Sequence, residues 1–466
     1  MIKGLKRTAA VLCAAALIAG AFAACGKESS SSSAESSTKS SSGESSSSDS
    51  ASESSNNESS SSSSAEPTAE PTAEPTPVES KEWHEGGLVP ATNFVSDDYM
   101  ELATLLGSDN RALADVMKKA KNGEEVTVVC IGGSITQGTV SKGTKDKEAV
   151  KKKTFYANYV KQWWEERFPD TKINFVNAGI GATTSYLGVH RAGTDVLSHE
   201  PDLVIVEFAV NDAGLRNGQT IYDNLVRNLL KYKSNPAVML LFMGQTNGST
   251  AQTDEYPVGK AYSLPMISYT NVISKMMKDN TFSAEELSGD TVHPSALGHA
   301  ICGELFWYYF NAVYHDLDVL TAADKFDVAA VTKEKYTNAK ILDSKSIIPD
   351  SLGTFEESNK FAQFPNDWTS VSGEGEISFT INCANLGLIY YRTTDGKSGQ
   401  FDIEVDGNAV ATLDANFKGG WGNYAESTEV FSSDTAAEHK VVIRKNANSE
   451  NEEFTILGLL VSGGQE

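Results

Sequence analysis

Short apolar, β-branched runs alternate with longer amphipathic segments through the middle of the chain. The apolar runs predict buried strands at residues 126–131, 173–177, 203–210 and 238–243. The amphipathic segments predict helices at residues 97–121 (in two pieces), 155–168, 221–232, 261–278 and 295–314. Strands that alternate with helices indicate right-handed crossovers and a parallel sheet covered on both faces, so this part of the chain is predicted to be α/β.

The pattern changes after about residue 316, where short apolar runs are separated by turn residues. They predict strands at residues 340–347, 377–381, 388–392, 401–405, 410–413, 428–431, 439–444 and 454–461. Many short strands with turns between them are typical of a β-sandwich or jelly roll. We therefore expect an α/β domain at residues 83–320 and an all-β sandwich at residues 321–466, which by pattern resembles carbohydrate-binding sandwiches.

The N-terminal segment has the pattern of a secretory signal. Basic residues precede an apolar run from about residue 9 to residue 24, which is short for a membrane-spanning helix. Ala23 and Ala24 before Cys25 resemble a bacterial lipobox. This resemblance implies cleavage after residue 24, lipidation of Cys25 and a protein anchored to the outer face of the membrane. The alternative is an ordinary signal peptide with a chance cysteine.

Residues 25–82 are rich in serine and glutamate and end in an Ala-Glu-Pro-Thr repeat. Almost no apolar residue is available to form a core, so the segment is predicted to be a disordered, extended tether. It would hold the folded domains away from the membrane.

Charge and cysteine content narrow the class of protein further. The net charge is −23, and no basic cluster is present, so nucleic acid is disfavoured as a partner. Cys130, Cys302 and Cys383 lie in apolar runs and are expected to be buried thiols, with a Cys130–Cys302 bridge as the alternative. Carboxylates and histidines show no metal-ligand spacing, and no phosphate-binding loop is present, so neither a metal nor another cofactor is expected.

A nucleophile and a base can be identified from their positions. The sequence Gly-Gly-Ser-Ile-Thr at residues 132–136 follows the first predicted strand and puts Ser134 at a strand-to-helix turn. A serine hydroxyl needs a base to become nucleophilic. His293 is the best candidate, because Asp290 in the same loop can accept its Nδ1 proton and fix its tautomer. The alternative is that Asp290 caps the helix that begins after Ser295.

Candidate oxyanion donors follow the next two strands. They are the backbone N–H of Gly181, with Gly179 as a rival, and the side-chain amide of Asn211; the N–H of Ser134 itself would be the third. The carboxyl ends of parallel strands meet at one edge of a sheet, so these groups are expected to converge. For Asn211 the alternative is a local turn at the strand end.

These four segments together resemble the SGNH hydrolases, also called GDSL-type esterases and lipases, over roughly residues 95–315. The serine, glycine and asparagine of that family map to Ser134, Gly181 and Asn211, and its Asp-x-x-His pair maps to Asp290 and His293. The resemblance implies a three-layer α/β/α, flavodoxin-like domain and a serine esterase.

Two departures from the family pattern are present. Gly133 stands where the name-giving motif has Asp, and Ala209 stands where the asparagine motif has Gly. The Gly-Gly-Ser-Ile-Thr form is similar to that of carbohydrate acetylesterases in the same superfamily. It implies that the substrate is an acetylated polysaccharide or oligosaccharide rather than a lipid.

The sequence is also compatible with three other functions. The enzyme could be a lipid or thioester acylhydrolase, or an O-acetyl esterase acting on the cell's own wall polymer. A third alternative is a non-catalytic, glycan-binding surface lipoprotein. In the second domain Trp421 and Tyr424, in a glycine-rich loop, are candidate glycan contacts, with core or interdomain packing as the alternative.

Overall fold

The structure, a computed structural model, describes residues 95–141, 155–370, 372, 375–419 and 422–464. The predicted signal, Cys25, the tether and Trp421 lie outside these residues.

The first domain is built on a five-stranded parallel sheet. Its strands are β1 (Val126–Gly132), β2 (Ile173–Gly179), β3 (Leu203–Glu207), β4 (Ala237–Phe242) and β5 (Met266–Ser268). They are arranged in the order β2-β1-β3-β4-β5, and every pairing is parallel. This is the strand order of flavodoxin-like folds, in which sites form beyond the carboxyl ends of the strands. The predicted α/β class is confirmed.

Helices cover both faces of this sheet because successive strand residues point to opposite sides. The helices are α1 (Asp97–Ala103), α2 (Arg111–Lys121), α3 (Ser134–Gln137), α4 (Tyr156–Arg167), α5 (Ser185–Asp195), α6 (Gly218–Leu230), α7 (Gln252–Ala261), α8 (Tyr269–Lys278), α9 (Ala284–Leu287) and α10 (Ala296–His315). In β3, Ile205 joins the core under α2, α4, α8 and α10, whereas Val204 and Val206 join the core under α5, α6 and α7.

The helix prediction was wrong at residues 261–278, and it missed α5, α9 and all of α7 except Ala261. Residues 261–278 do not form one helix: α7 ends at Ala261, Pro265 follows, and β5 separates α7 from α8. Between the two helices Ser263 has a positive φ of 53°, which a right-handed helix does not contain, and Pro265 disfavours a helical conformation in Leu264. Helix α5 was not predicted, because Gly188 and Gly193 and the buried polar residues His190 and Arg191 hide its apolar face.

The second domain is an antiparallel, all-β domain, as predicted. Its strands are β6 (Lys340–Leu342), β7 (Phe355–Ser358), β8 (Asp367–Ser370), β9 (Glu376–Arg392), β10 (Gln400–Val405), β11 (Asn408–Asp414), β12 (Tyr424–Lys445) and β13 (Phe454–Ser462). Seven of them are hydrogen-bonded in the order β11-β10-β12-β9-β13-β8-β7, and β6 pairs with β13. Trp368, Phe379, Phe401 and Phe454 lie in its buried core.

Several strands of this domain differ from the predicted segments. The predicted pairs 377–381 with 388–392 and 428–431 with 439–444 are each one long strand, β9 and β12. The pairing of these two strands shifts register between Ser432 and Ala437, and polar residues at this irregularity made each strand look interrupted. Strands β7 and β8 were not predicted.

The two domains share one apolar cluster. Ile389, Leu457 and Leu460 of the β domain belong to the same buried group as the residues of α5 and α6. Tyr186 of α5 packs edge-to-face on Tyr336 of the connecting segment, with ring centroids 5.9 Å apart. The β domain is therefore packed against the α/β domain.

Two further expectations concern the cysteines and the membrane. Cys130, Cys302 and Cys383 are free and buried, so the alternative of a Cys130–Cys302 bridge is not realised. Among the helices within the described ranges, none combines the length and the apolar character that a membrane crossing requires.

Candidate active site

Ser134 occupies the tight turn between β1 and α3. The strand ends at Gly132, and the helix begins at Ser134 itself. The turn leaves no room for a side chain before the serine, because a Cβ on Gly133 would lie 2.5 Å from Asn211 Nδ2. This contact gives a physical reason for glycine where the family motif has aspartate.

His293 and Asp290 extend from Ser134 in one hydrogen-bonded chain. Ser134 Oγ lies 2.8 Å from His293 Nε2, and His293 Nδ1 lies 2.8 Å from Asp290 Oδ2. The imidazole is largely shielded, with 23% of its side chain exposed. In this arrangement Nε2 can accept the hydroxyl proton while the carboxylate accepts the proton on Nδ1.

The Asp290 carboxylate is oriented by its own loop. Its Oδ1 accepts the backbone N–H groups of His293 at 2.7 Å and Val292 at 3.0 Å, which leaves Oδ2 for the imidazole. Partial burial alone raises the pKa of Asp290, but these hydrogen bonds outweigh burial and hold the pKa below its usual value. The helix that follows is capped by Ser295, whose Oγ accepts the Gly298 N–H at 3.1 Å, so Asp290 is not its cap.

Three N–H groups lie around Ser134. The Ser134 N–H is at the first position of α3, where an amide has no partner within the helix. Asn211 donates one N–H of its amide to the Thr183 carbonyl oxygen at 2.7 Å, which fixes the side chain and leaves its second N–H to donate elsewhere. Gly181 is close as well, since a Cβ built on it would lie 3.7 Å from the Ser134 Cβ.

Gly179, the rival of Gly181, is placed differently. It is the last residue of β2 and packs so closely on the backbone of Gln137 that a Cβ would collide with it. Its N–H donates to Asn177 Oδ1 at 2.9 Å, within its own segment. This geometry favours Gly181 as the glycine that faces the reacting atoms.

Gln137 belongs to the site although no sequence motif pointed to it. Its Oε1 accepts the Gly181 N–H at 3.0 Å. The only signal in the sequence is its position three residues after Ser134, which puts both on one face of α3. The Gly181 N–H therefore already has an acceptor, and an oxyanion would have to replace the Gln137 oxygen.

This contact predicts that Gln137→Glu lowers kcat by about tenfold or more. A charged acceptor binds an N–H roughly 1 kcal/mol more strongly than a neutral one and also repels the developing oxyanion. The near-isosteric Gln137→Met removes the acceptor without adding charge and serves as the control, with kcat expected within a few-fold of wild type. Steady-state hydrolysis of an acetate ester measures both. An unchanged kcat for Gln137→Glu would show that Gly181 does not exchange its acceptor.

Of the two second-domain candidates, the structure describes Tyr424, which is not an exposed platform for a sugar ring. Trp421 lies outside the described residues. Tyr424 is 8% exposed, donates its hydroxyl to Glu426 Oε2 at 2.8 Å and accepts a hydrogen bond from Arg392 at 2.9 Å. Its ring also meets the edge of Phe417, with centroids 5.1 Å apart. An enclosed ring of this kind fits the alternative of a packing role.

One cavity of the structure lies apart from Ser134 and His293. A cavity of about 510 Å³ lies between the start of α5, the loop before α6 and β12, and its lining includes Tyr186, Arg216 and Glu429 but not Ser134 or His293. In the part of the chain that the structure describes, no cluster of His, Cys, Asp and Glu could hold a metal ion.

Residues 130–301, which contain every residue of this site, match the sequence model of the GDSL-like Lipase/Acylhydrolase family. This part of the chain is a GDSL-like lipase/acylhydrolase domain. The chain is accordingly a carboxylic ester hydrolase. A comparison of the chain with curated proteins gives no significant match.

Solved structures resemble the acylhydrolase domain together with the β domain. A two-domain esterase active on acetylated mannans is 29% identical, with a TM-score of 0.71 over 78% of this chain and 99% of that chain. A crystal structure of such an esterase co-crystallised with mannopentaose is 28% identical, with a TM-score of 0.70 over 79% of this chain and 98% of that chain. The similarity therefore extends over both domains.

Proposed function

We propose that this protein is a serine esterase that removes acetyl groups from a polysaccharide through an acyl-enzyme. The observation that carries the proposal is the hydrogen-bonded chain from Ser134 through His293 to Asp290, with both links at 2.8 Å. A nucleophile, a base and an orienting carboxylate in this order form the arrangement required for acyl transfer.

In the acylation step, the Ser134 Oγ attacks the ester carbonyl carbon and its proton moves to His293 Nε2. Asp290, ionised at neutral pH, stabilises the imidazolium through Nδ1. The negative charge that develops on the carbonyl oxygen is stabilised by the N–H groups of Ser134 and Gly181 and the free N–H of Asn211. The tetrahedral intermediate then breaks its bond to the sugar oxygen, which takes the proton from Nε2 and leaves as an alcohol.

In the deacylation step, water replaces the sugar. His293 takes a proton from water as the water oxygen attacks the acetyl carbonyl carbon bound to Ser134 Oγ. The same N–H groups stabilise the second oxyanion. When this intermediate breaks the bond to Oγ, the serine recovers its proton from His293 and acetate leaves.

The substrate class is inferred from the two-domain similarity. The solved esterases are active on acetylated mannans, and the match covers both domains of this chain at 28–29% identity. Acetylated mannan is therefore the first polysaccharide to test. The competing substrates are long-chain acyl lipids or thioesters and the acetyl esters of the cell wall.

The test is acetate release from acetylated mannan, xylan, pectin and peptidoglycan, run beside hydrolysis of a long-chain acyl ester. We expect acetate from an acetylated plant glycan, with mannan highest, and little activity on the long-chain ester. Each reaction is paired with the Ser134→Ala protein to remove background hydrolysis. Activity on the long-chain ester alone would favour a lipid acylhydrolase, and acetate from peptidoglycan alone would favour a wall-modifying esterase. Binding of glycan without turnover of any ester would favour a non-catalytic surface protein.

A further inference from the structure

A buried glutamate lies directly beneath the nucleophile turn. Glu207 is the last residue of β3, pairs in register with Gly132 and is 2% exposed. Its Oε2 accepts the hydroxyl of Thr136 at 2.9 Å. The backbone N–H groups of Gly133 and Thr136 also face the carboxylate and favour its ionised form. Three donors of the turn that carries Ser134 are thus directed at one side chain.

The turn depends on this carboxylate as an acceptor. Thr136 is fully buried, and its Oγ1 also lies 2.7 Å from the Tyr156 hydroxyl, so the contact continues into α4. A buried carboxylate is costly unless it is hydrogen-bonded. Glu255 shows the contrast: it is 1% exposed, and no residue that the structure describes donates a hydrogen bond to either of its oxygens.

We propose that Glu207 is a positioning residue for the reaction, acting through the turn at residues 133–136. Its ionised carboxylate holds Gly133, directly before Ser134, and Thr136, two residues after it, and so fixes the direction of the Ser134 N–H and Oγ. It also keeps Gly133 against Asn211, the second oxyanion donor. This inference rests on the proposed function, because it assumes that Ser134 is the nucleophile.

Protonation of Glu207 would weaken this hold. Burial raises its pKa to about 7, although the hydrogen bond from Thr136 opposes the rise. Above that pH the carboxylate only accepts hydrogen bonds, whereas below it one oxygen carries a proton that faces donors. We therefore expect the hydrogen bonds from the turn to Glu207 to be intact at alkaline pH and weakened at acid pH.

Five other titratable groups interact with Glu207. They are Asp212 of the loop after β3, Tyr156 of α4, Tyr222 of α6, Glu255 of α7 and Cys302 of α10. Cys130 of β1 lies next to two of them, Tyr156 and Cys302. Burial raises the pKa of all six groups. Asp212, when ionised, adds to the rise of the Glu207 pKa.

The test compares Glu207→Gln with the matched control Glu255→Gln over a range of pH. Glutamine resembles the protonated acid in having one acceptor and one donor group, and it does not titrate. At pH 8.5 we expect kcat for Glu207→Gln to fall roughly 10- to 100-fold with little change in KM, because small misplacements of reacting groups cost up to about 10²-fold. The deficit should shrink toward pH 5.5, where the wild-type glutamate is itself protonated. Glu255→Gln should stay within about twofold of wild type at each pH.

The outcomes separate the positioning role from a general effect on folding and from the proposed function. Equal kcat for wild type and Glu207→Gln at pH 8.5, or a deficit that does not change with pH, would overturn the positioning role. If Glu207→Gln does not fold, as judged by thermal unfolding, Thr136→Val decides, since it removes one donor of the same contact and should lower kcat several-fold. Wild-type kcat for that variant would also overturn the role. If Ser134→Ala stays active, the proposed function itself fails.

Discussion

Replacing Ser134 with alanine is expected to lower ester hydrolysis by roughly 10⁴-fold or more, which is typical when the nucleophile of a triad is removed. The hydroxyl is the atom that forms the acyl-enzyme, and nothing else in the turn can replace it, because Gly133 has no side chain and Ile135 and Thr136 are buried. The oxyanion donors remain, so a small residual rate above that of water is expected. Acetate release from acetylated mannan under substrate excess measures the effect.

The control for this prediction is Ser198→Ala. Ser198 lies on a short 3-10 turn after α5, and its exposed hydroxyl donates a hydrogen bond to the carbonyl oxygen of Thr194. It should keep wild-type activity, and both variants should unfold at nearly the wild-type temperature. Near-normal turnover by Ser134→Ala would exclude the acyl-enzyme at this residue.

Burial explains why three strands of the parallel sheet could be predicted from the sequence. The residues of β1, β3 and β4 are almost all buried. Their sequences are therefore continuous runs of β-branched and apolar residues, which predict buried strands. Once these strands are parallel, their carboxyl ends must lie along one edge. Convergence of the segments that contain Ser134, Gly181 and Asn211 was therefore predictable without knowledge of any contact.

The parts that could not be predicted depend on contacts distant in sequence. Arg191 is fully buried in α5, where its guanidinium donates to the carbonyl oxygens of Ala178 at 2.6 Å and Gly132 at 3.0 Å. A prediction from the periodicity of apolar residues treats an arginine as a residue that faces solvent, so it cannot identify this one as buried. Strand β5 has only three residues, too few to show an alternating pattern of apolar and polar positions. These residues were therefore assigned to a predicted helix.

The same distinction applies within the candidate site. Asp290 and His293 are three residues apart in one loop, so their contact is local and their spacing could be read directly. Gln137 and Gly181 meet across 44 positions of sequence, and Glu207 and Thr136 across 71. These contacts follow from the way in which α3 lies over the ends of β2 and β3. A single sequence carries no pattern that specifies them.

Replacing Asp290 with asparagine is expected to lower kcat by roughly 10³- to 10⁴-fold while leaving the site nearly unchanged in shape. The asparagine oxygen can still accept the backbone N–H groups that Asp290 Oδ1 accepts. Its NH₂ group would then face His293 Nδ1 and require that nitrogen to be an acceptor. The proton would sit on Nε2, where the ring could no longer take the hydroxyl proton from Ser134 at 2.8 Å.

The second domain provides a matched control for this change. His439 Nδ1 lies 2.7 Å from Asp406 Oδ2, a similar histidine–carboxylate contact, and no residue that the structure describes bonds to the other ring nitrogen. Asp406→Asn should therefore leave kcat within about twofold of wild type, as is usual for a change away from the reacting groups. Asp290→Asn should show its loss mainly in kcat, with KM little altered, because the carboxylate acts on the imidazole and not on bound sugar. Comparable activity of the two variants would mean that Asp290 does not set the tautomer of His293.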